Sequence, residues 1–158
     1  MYTVLVLRWL HVIGSAVLLG TGAGIAFFML MAHRTRNATL IAHTASIVVI
    51  ADYVFTATAV IVQPITGVLL IEYVGWGWSQ GWIWASIGLY AFVGMLWLPV
   101  VWMQFRMRNL ARSAAAESSP LPREYFKLFR LWFAFGIPAF FAVLLILWLM
   151  LAKPVLSF

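Results

Sequence analysis

Six side chains stand out because each is polar and each interrupts a long apolar run: His11, Ser15, Asp52, Thr56, Gln63 and Tyr90. Polar groups are costly in lipid, so those that persist there mark either chemistry or a hydrogen bond the fold needs. An intramembrane imidazole such as His11 is the ligand type shared by b-type haem and many metal sites. Ser15 stands four residues on, which puts it on the same helical face. Gln63 and Tyr90 add donors and acceptors for whatever His11 holds. Asp52 and Thr56 are also four apart. Two roles stay open for that pair: a proton relay, or a carboxyl group buried with hydrogen bonds from Thr56, Tyr90 or Trp97. A snorkelling Arg106 or Arg130 is a further possible partner for Asp52. Cysteine is absent. That removes disulfides, iron–sulfur clusters, c-type haem attachment and thiolate metal sites.

These residues need elements that can hold them in an apolar medium. Of the 158 residues, 65% are hydrophobic and 9% charged, with a mean hydropathy of +1.03. A soluble domain carries roughly 25% charged residues, so this chain cannot cover a water-facing surface. Soluble enzymes and free binding modules are excluded. A bilayer core about 30 Å thick is crossed by about 20 apolar helical residues, and four runs qualify. They predict spans over about 4–32, 42–72, 82–105 and 130–152, the second broken only by Asp52. The runs show no period-two alternation, which argues against a barrel. The expected fold is all-α, a four-helix transmembrane bundle forming one domain over 1–158.

Charge sets the orientation. Arg34 and Arg36 follow the first span, and Arg106, Arg108, Arg112, Arg123, Lys127 and Arg130 flank the join between the third and fourth. The remaining loop, EYVGWGWSQG over 72–81, has neither Lys nor Arg. The positive-inside rule puts the basic end in the cytoplasm and both termini outside. The net charge of +6 is then accounted for by orientation and anionic lipid, which points away from nucleic acid. The stretch 106–127 reads as a cytoplasmic loop, with NLARSAAAESSPLP (109–122) as a flexible linker. Trp76, Trp78, Trp82 and Trp84 read as an interfacial aromatic belt.

Depth follows from 1.5 Å per residue. His11 comes out about 10 Å outward of the midplane, Ser15 about 5 Å, and Gln63 about 9 Å. Ser86 and Tyr90 fall about 10 and 5 Å outward on the third span. Five polar groups from three helices are thus expected to converge in the outer half, with the fourth helix mainly packing. Asp52 falls about 7 Å inward. His33 reads as interfacial and solvated. His43 faces about 180° away from Asp52 and lies about 30 Å in depth from His11, so the two cannot clamp one haem. Ala16, Gly20 and Gly24 form a small-xxx-small stripe suited to close packing on helix two or a second protomer. Pro64, Pro99 and Pro138 each free a backbone carbonyl and permit a kink.

The stretches LRWLHVIGSAVLLGTGAGIAFFMLMAHR (7–34), IADYVFTATAVIVQPITG (50–67) and GLYAFVGMLWLPVVWMQFRMRNLA (88–111) carry a resemblance. Together they resemble a prokaryotic family of four-helix integral membrane proteins of unknown function, which implies a multi-pass protein of the inner membrane. More distantly, the first-helix Leu-His at His11, with His33 at the helix end, is similar to the haem-containing bacterial protoporphyrinogen IX oxidases and the copper-resistance D membrane proteins. That likeness implies a haem ligand at His11. The chain departs from it in having no histidine on the third span. The expectation is a membrane redox protein holding haem b through His11, Ser15, Gln63 and Tyr90. Electrons would pass to or from quinone or a partner subunit, in a homodimer or a larger membrane complex. A cofactor-free accessory or assembly subunit is the alternative, and a small-molecule or metal transporter a weaker one.

Overall fold

The computed structural model describes residues 2–156, and these are helical apart from short connections. Helix α1 covers Tyr2–Thr35. The second span is a continuous rod built from α2 (Ala38–Ala51), a π-helical turn (Asp52–Thr56) and α3 (Ala57–Val74). Helix α4 covers Gly81–Ala116 and α5 Arg123–Ala152. All four rods are long and apolar enough to cross a membrane. The all-α four-span architecture is therefore the one expected.

The joins follow local chemistry. Arg36 takes a left-handed φ of 54°, and Asn37 caps α2 by accepting the Leu40 N–H at 3.1 Å. The Thr35 hydroxyl donates back to the Ala32 carbonyl at 2.7 Å. Polar side chains thus satisfy the helix ends where the chain reverses. At the far end of the second span Gly75, with φ 77°, supplies the left-handed cap that lets α3 stop.

The linker expected over 106–127 is mostly helix, with only 117–122 outside α4 and α5. The segment Asn109–Ala116 is rich in Leu, Arg and Ala, strong helix formers, and Ala111 and Ala114 are buried. Serine and proline break the helix only from Ser118, which adopts φ 51°. Across this join Arg106 meets Glu124 at 2.8 Å, both about half exposed, a pairing worth well under about 1 kcal/mol.

α1 packs on α3 and α4 on α5, while α2 bridges α1 and α4. The main core lies at the basic end, where Met29, Ile41, Met107 and Tyr125 are fully buried. The opposite end holds a smaller cluster of Ile71, Trp82 and Ile83, joined by Leu156. Both described termini therefore lie at the end carrying the Trp-rich 75–80 loop. Bundle packing is dense at one end and sparse at the other, and His11 and Ser15 of α1 fall in the sparse half.

Two packing expectations change. A methyl group at Gly20 or Gly24 would meet nothing within 4 Å, whereas one at Gly14 would lie 3.1 Å from Gln63 Nε2. The close helix approach is thus at Gly14, and the Ala16–Gly20–Gly24 stripe stays open. His33 is not simply solvated either. Its ring lies parallel to Phe129 with centroids 3.7 Å apart, and its Nδ1 is 3.3 Å from the Tyr125 hydroxyl. α1 runs on to Thr35 and α5 starts at Arg123, so the aromatic first turns of α5 reach the imidazole.

Candidate functional site

α1 and α3 meet through a small polar network. His11 Nδ1 lies 2.8 Å from Thr66 Oγ1. The Thr66 hydroxyl also lies 2.9 Å from the Val62 carbonyl, four residues back on its own helix. A hydroxyl has one hydrogen. Donated to that carbonyl, as threonine commonly does in helices, it leaves the oxygen to accept from His11 Nδ1–H. The Nε2 lone pair is then free, and Nε2 has no protein hydrogen-bond partner among the described residues. This is the tautomer that ligates iron, with its other nitrogen held by an oxygen acceptor.

The same histidine is fixed through its backbone. Ser15 Oγ donates to the His11 carbonyl at 2.9 Å. Gln63 Nε2 donates to that carbonyl at 2.9 Å and to Ser15 Oγ at 2.7 Å. Gly14 gives the Gln63 side chain room to cross α1, and Gly67 lies beside the imidazole, where a Cβ would come 3.4 Å from His11 Cε1. Gln63 Oε1 is buried without a partner. Such an oxygen costs about 1–3 kcal/mol, so a donor brought by water or a bound group is favoured there.

Three of the expected residues, His11, Ser15 and Gln63, are therefore brought together, and Thr66 joins them unforeseen. Its signal was its place three residues after Gln63, on the same face. Tyr90 and Ser86 do not join by hydrogen bonding. Ser86 donates to its own helix at the Trp82 carbonyl, 2.8 Å away. The Tyr90 hydroxyl donates to the Val60 carbonyl. Pro64 explains that bond: it lacks the N–H that would otherwise serve Val60, four residues earlier. Tyr90 thus fills the gap Pro64 leaves and ties α4 to α3. His43 is exposed on the α2 surface.

Asp52 is separate from the His11 network. It is buried at the start of the π turn and accepts from Trp97 Nε1 at 3.4 Å. Thr56 Oγ1, four residues on, is buried beside the carboxyl group, with no hydrogen bond of ordinary geometry. The Tyr90 hydroxyl serves Val60 and Arg106 pairs with Glu124, so of the expected partners Asp52 keeps Trp97 and the neighbouring Thr56 hydroxyl.

No cluster of three or more His, Cys, Asp or Glu capable of holding a metal ion forms among the described residues. A haem brings four nitrogens of its own and asks the protein for as little as one imidazole. A His11 whose Nε2 has no protein partner among the described residues would meet that demand. No curated protein and no solved structure matches this chain. Residues 5–154 match the family described as Predicted integral membrane protein (DUF2269), and the chain belongs to that family.

Proposed function

We propose that this is a membrane redox protein in which His11 is the axial ligand of a b-type haem. The observation that carries the reading is the 2.8 Å approach of His11 Nδ1 to the Thr66 hydroxyl; with that hydroxyl donating to Val62, it would hold Nδ1–H and leave Nε2 for iron. Bound haem would supply one-electron exchange between its ferric and ferrous forms. The chain's own residues do the positioning: Thr66 orients the ring, Ser15 and Gln63 fix the backbone behind it, and Gly67 leaves it space. With one histidine at this depth, any further protein ligand would come from a second copy or a partner subunit.

Electrons would pass to or from quinone or that partner. A shallow, open apolar depression lined by Leu30, Phe129, Arg130, Phe133 and Ile137 would offer a quinone ring one face to lie against. Leu30 lies about 28 Å along α1 from His11, so exchange between the two would need a carrier in between. A partner at the sparse end of the bundle is the more direct route. The second reading, a cofactor-free accessory or assembly subunit, draws on the open Ala16–Gly20–Gly24 stripe as a surface for another helix.

An absorption spectrum of detergent-purified protein separates the two. The redox reading expects a Soret band that shifts on dithionite reduction, with about one haem per chain or per pair of chains. A colourless preparation from cells supplied with haem precursor would favour the accessory subunit.

A further inference from the structure

The outer face of α5 carries one continuous row of side chains. Arg123, Lys127, Arg130, Ala134, Ile137 and Phe141 follow one another at spacings of three and four, so they share a face, and all are exposed. The row is basic over its first two turns and apolar beyond them. From Arg130 to Phe141 it runs about 16 Å, close to half of a hydrocarbon core about 30 Å thick. Where basic gives way to apolar, the surface is concave. Leu30 of α1 meets Phe129, Phe133, Ala134 and Ile137 in the shallow depression, and Arg130 is its one charged wall. Phe129 is stacked on His33 of α1 with centroids 3.7 Å apart, which ties the two helices together beside it.

The cations of this row are unpaired. Arg130 Nε turns back toward the start of its own helix, 3.4 Å from the Phe126 carbonyl, the direction in which an arginine snorkels toward headgroups. Its two terminal nitrogens have no protein acceptor among the described residues. Glu124, the one acid on α5, is taken by Arg106 at 2.8 Å, so Lys127 has no carboxylate partner on its helix. Unpaired cations beside an apolar hollow call for a ligand with an anionic head and an apolar body. A neutral quinone would use only the hollow, and a free phosphate only the charges. A second copy of the chain offers the cations little: its Asp52 is buried, its Glu72 lies at the other end and its Glu124 is paired.

We propose that this face binds one anionic phospholipid from the leaflet at the basic end, its phosphate held by Arg130 and Lys127 and one acyl chain lying in the depression. The planar guanidinium offers paired N–H groups to phosphate oxygens, and the lysine adds a mobile point charge. The chain then covers Leu30, Phe133 and Ile137 and runs on toward Phe141. Basic pockets between membrane helices take such headgroups for the same electrostatic reason. The site lies about 28 Å along α1 from His11 and stands whether or not His11 holds haem.

Native mass spectrometry of the detergent-purified protein tests this, with phosphatidylglycerol and phosphatidylcholine of the same acyl chains offered in equal amounts. The expected result is one phosphatidylglycerol retained per chain in preference to phosphatidylcholine. Arg130→Gln and Lys127→Gln should each lower that preference about fivefold, the worth of one cation at an anionic surface. The same change at Arg108, which turns to Asn109 and Phe105 on α4, should leave it unchanged. Ala134→Trp fills the depression without altering charge and should also reduce retention. All these positions are exposed, and circular dichroism checks that each variant keeps its helix content. Equal retention of the two lipids, or an equal loss in Arg108→Gln, would overturn the site in favour of diffuse attraction to the basic end. Unchanged retention in Ala134→Trp would also overturn it. So would displacement of the lipid by glycerol phosphate, in favour of a free phosphate site, or by a neutral short-chain quinone, in favour of a quinone site.

Discussion

Thr66 and Gly14 control the environment of His11 by different physics, and each yields a prediction. Thr66→Val keeps the shape of the side chain but removes the acceptor for Nδ1–H. Loss of such a supporting hydrogen bond typically costs 10–100-fold in affinity for the bound metal group. Haem titration of the purified variant should show a loss of about that size, and Thr66→Ser should restore binding. Equal affinity in Thr66→Val would make Thr66 a packing residue. Gly14→Ala forces a methyl group against the Gln63 amide, 3.1 Å from Nε2, and overpacking of this kind costs about 1–3 kcal/mol. Gly20→Ala enters open space and should stay within about 0.5 kcal/mol. Thermal unfolding in one detergent compares the two, and equal stability would contradict the close α1–α3 approach. His11, Ser15 and Gln63 were legible in the sequence because a polar side chain in an apolar run is conspicuous. Thr66 was not, since a helical threonine normally satisfies itself on the preceding turn. Gly14 was hidden among eleven glycines, because only the partner helix reveals which one is crowded.

Within the second span, Pro64 and Tyr90 form one device across two helices. Tyr90→Phe leaves the Val60 carbonyl without a donor, and interhelical hydrogen bonds in membranes are worth about 0.6 kcal/mol on average and up to about 1.7. Pro64→Ala returns a backbone N–H to Val60. The cost of Tyr90→Phe should therefore shrink toward zero in a Pro64→Ala background. A double-mutant cycle on unfolding free energy measures this coupling, and simple additivity would show that Tyr90 does not serve the gap. The sequence shows that Pro64 frees a carbonyl, but it does not show which side chain answers. Depth along a helix is countable from its residues. The order of helices around the bundle is not, and for that reason Ser86 and Tyr90 were placed near His11 although neither bonds to it. That four spans exist was readable from hydropathy alone. The extension of α4 to Ala116 was not, because Ser and Pro nearby outweighed the helix-forming Leu, Arg and Ala. The π turn at DYVFT left no readable mark.

At the level of the whole molecule, the eight basic residues from Arg34 to Arg130 gather at one end of the bundle, and the 75–80 loop has none. Cysteines introduced at Ser118 and Ser79 should react with an impermeant thiol reagent from opposite sides, Ser79 from outside. Labelling of the Ser118 position from outside intact cells would reverse the orientation. The same end-to-end asymmetry runs through the packing, dense at the basic end and sparse where His11 sits. It gives the three histidines different settings: His11 in the α1–α3 network, His33 stacked on Phe129, and His43 on the α2 surface. The most direct test of the account is the Soret band of the wild type set beside His11→Ala, His33→Ala and His43→Ala, each oxidised and dithionite-reduced. The account predicts that His11→Ala loses or strongly alters the band while the other two keep it. A band unchanged in His11→Ala would contradict the account and place any haem ligand elsewhere.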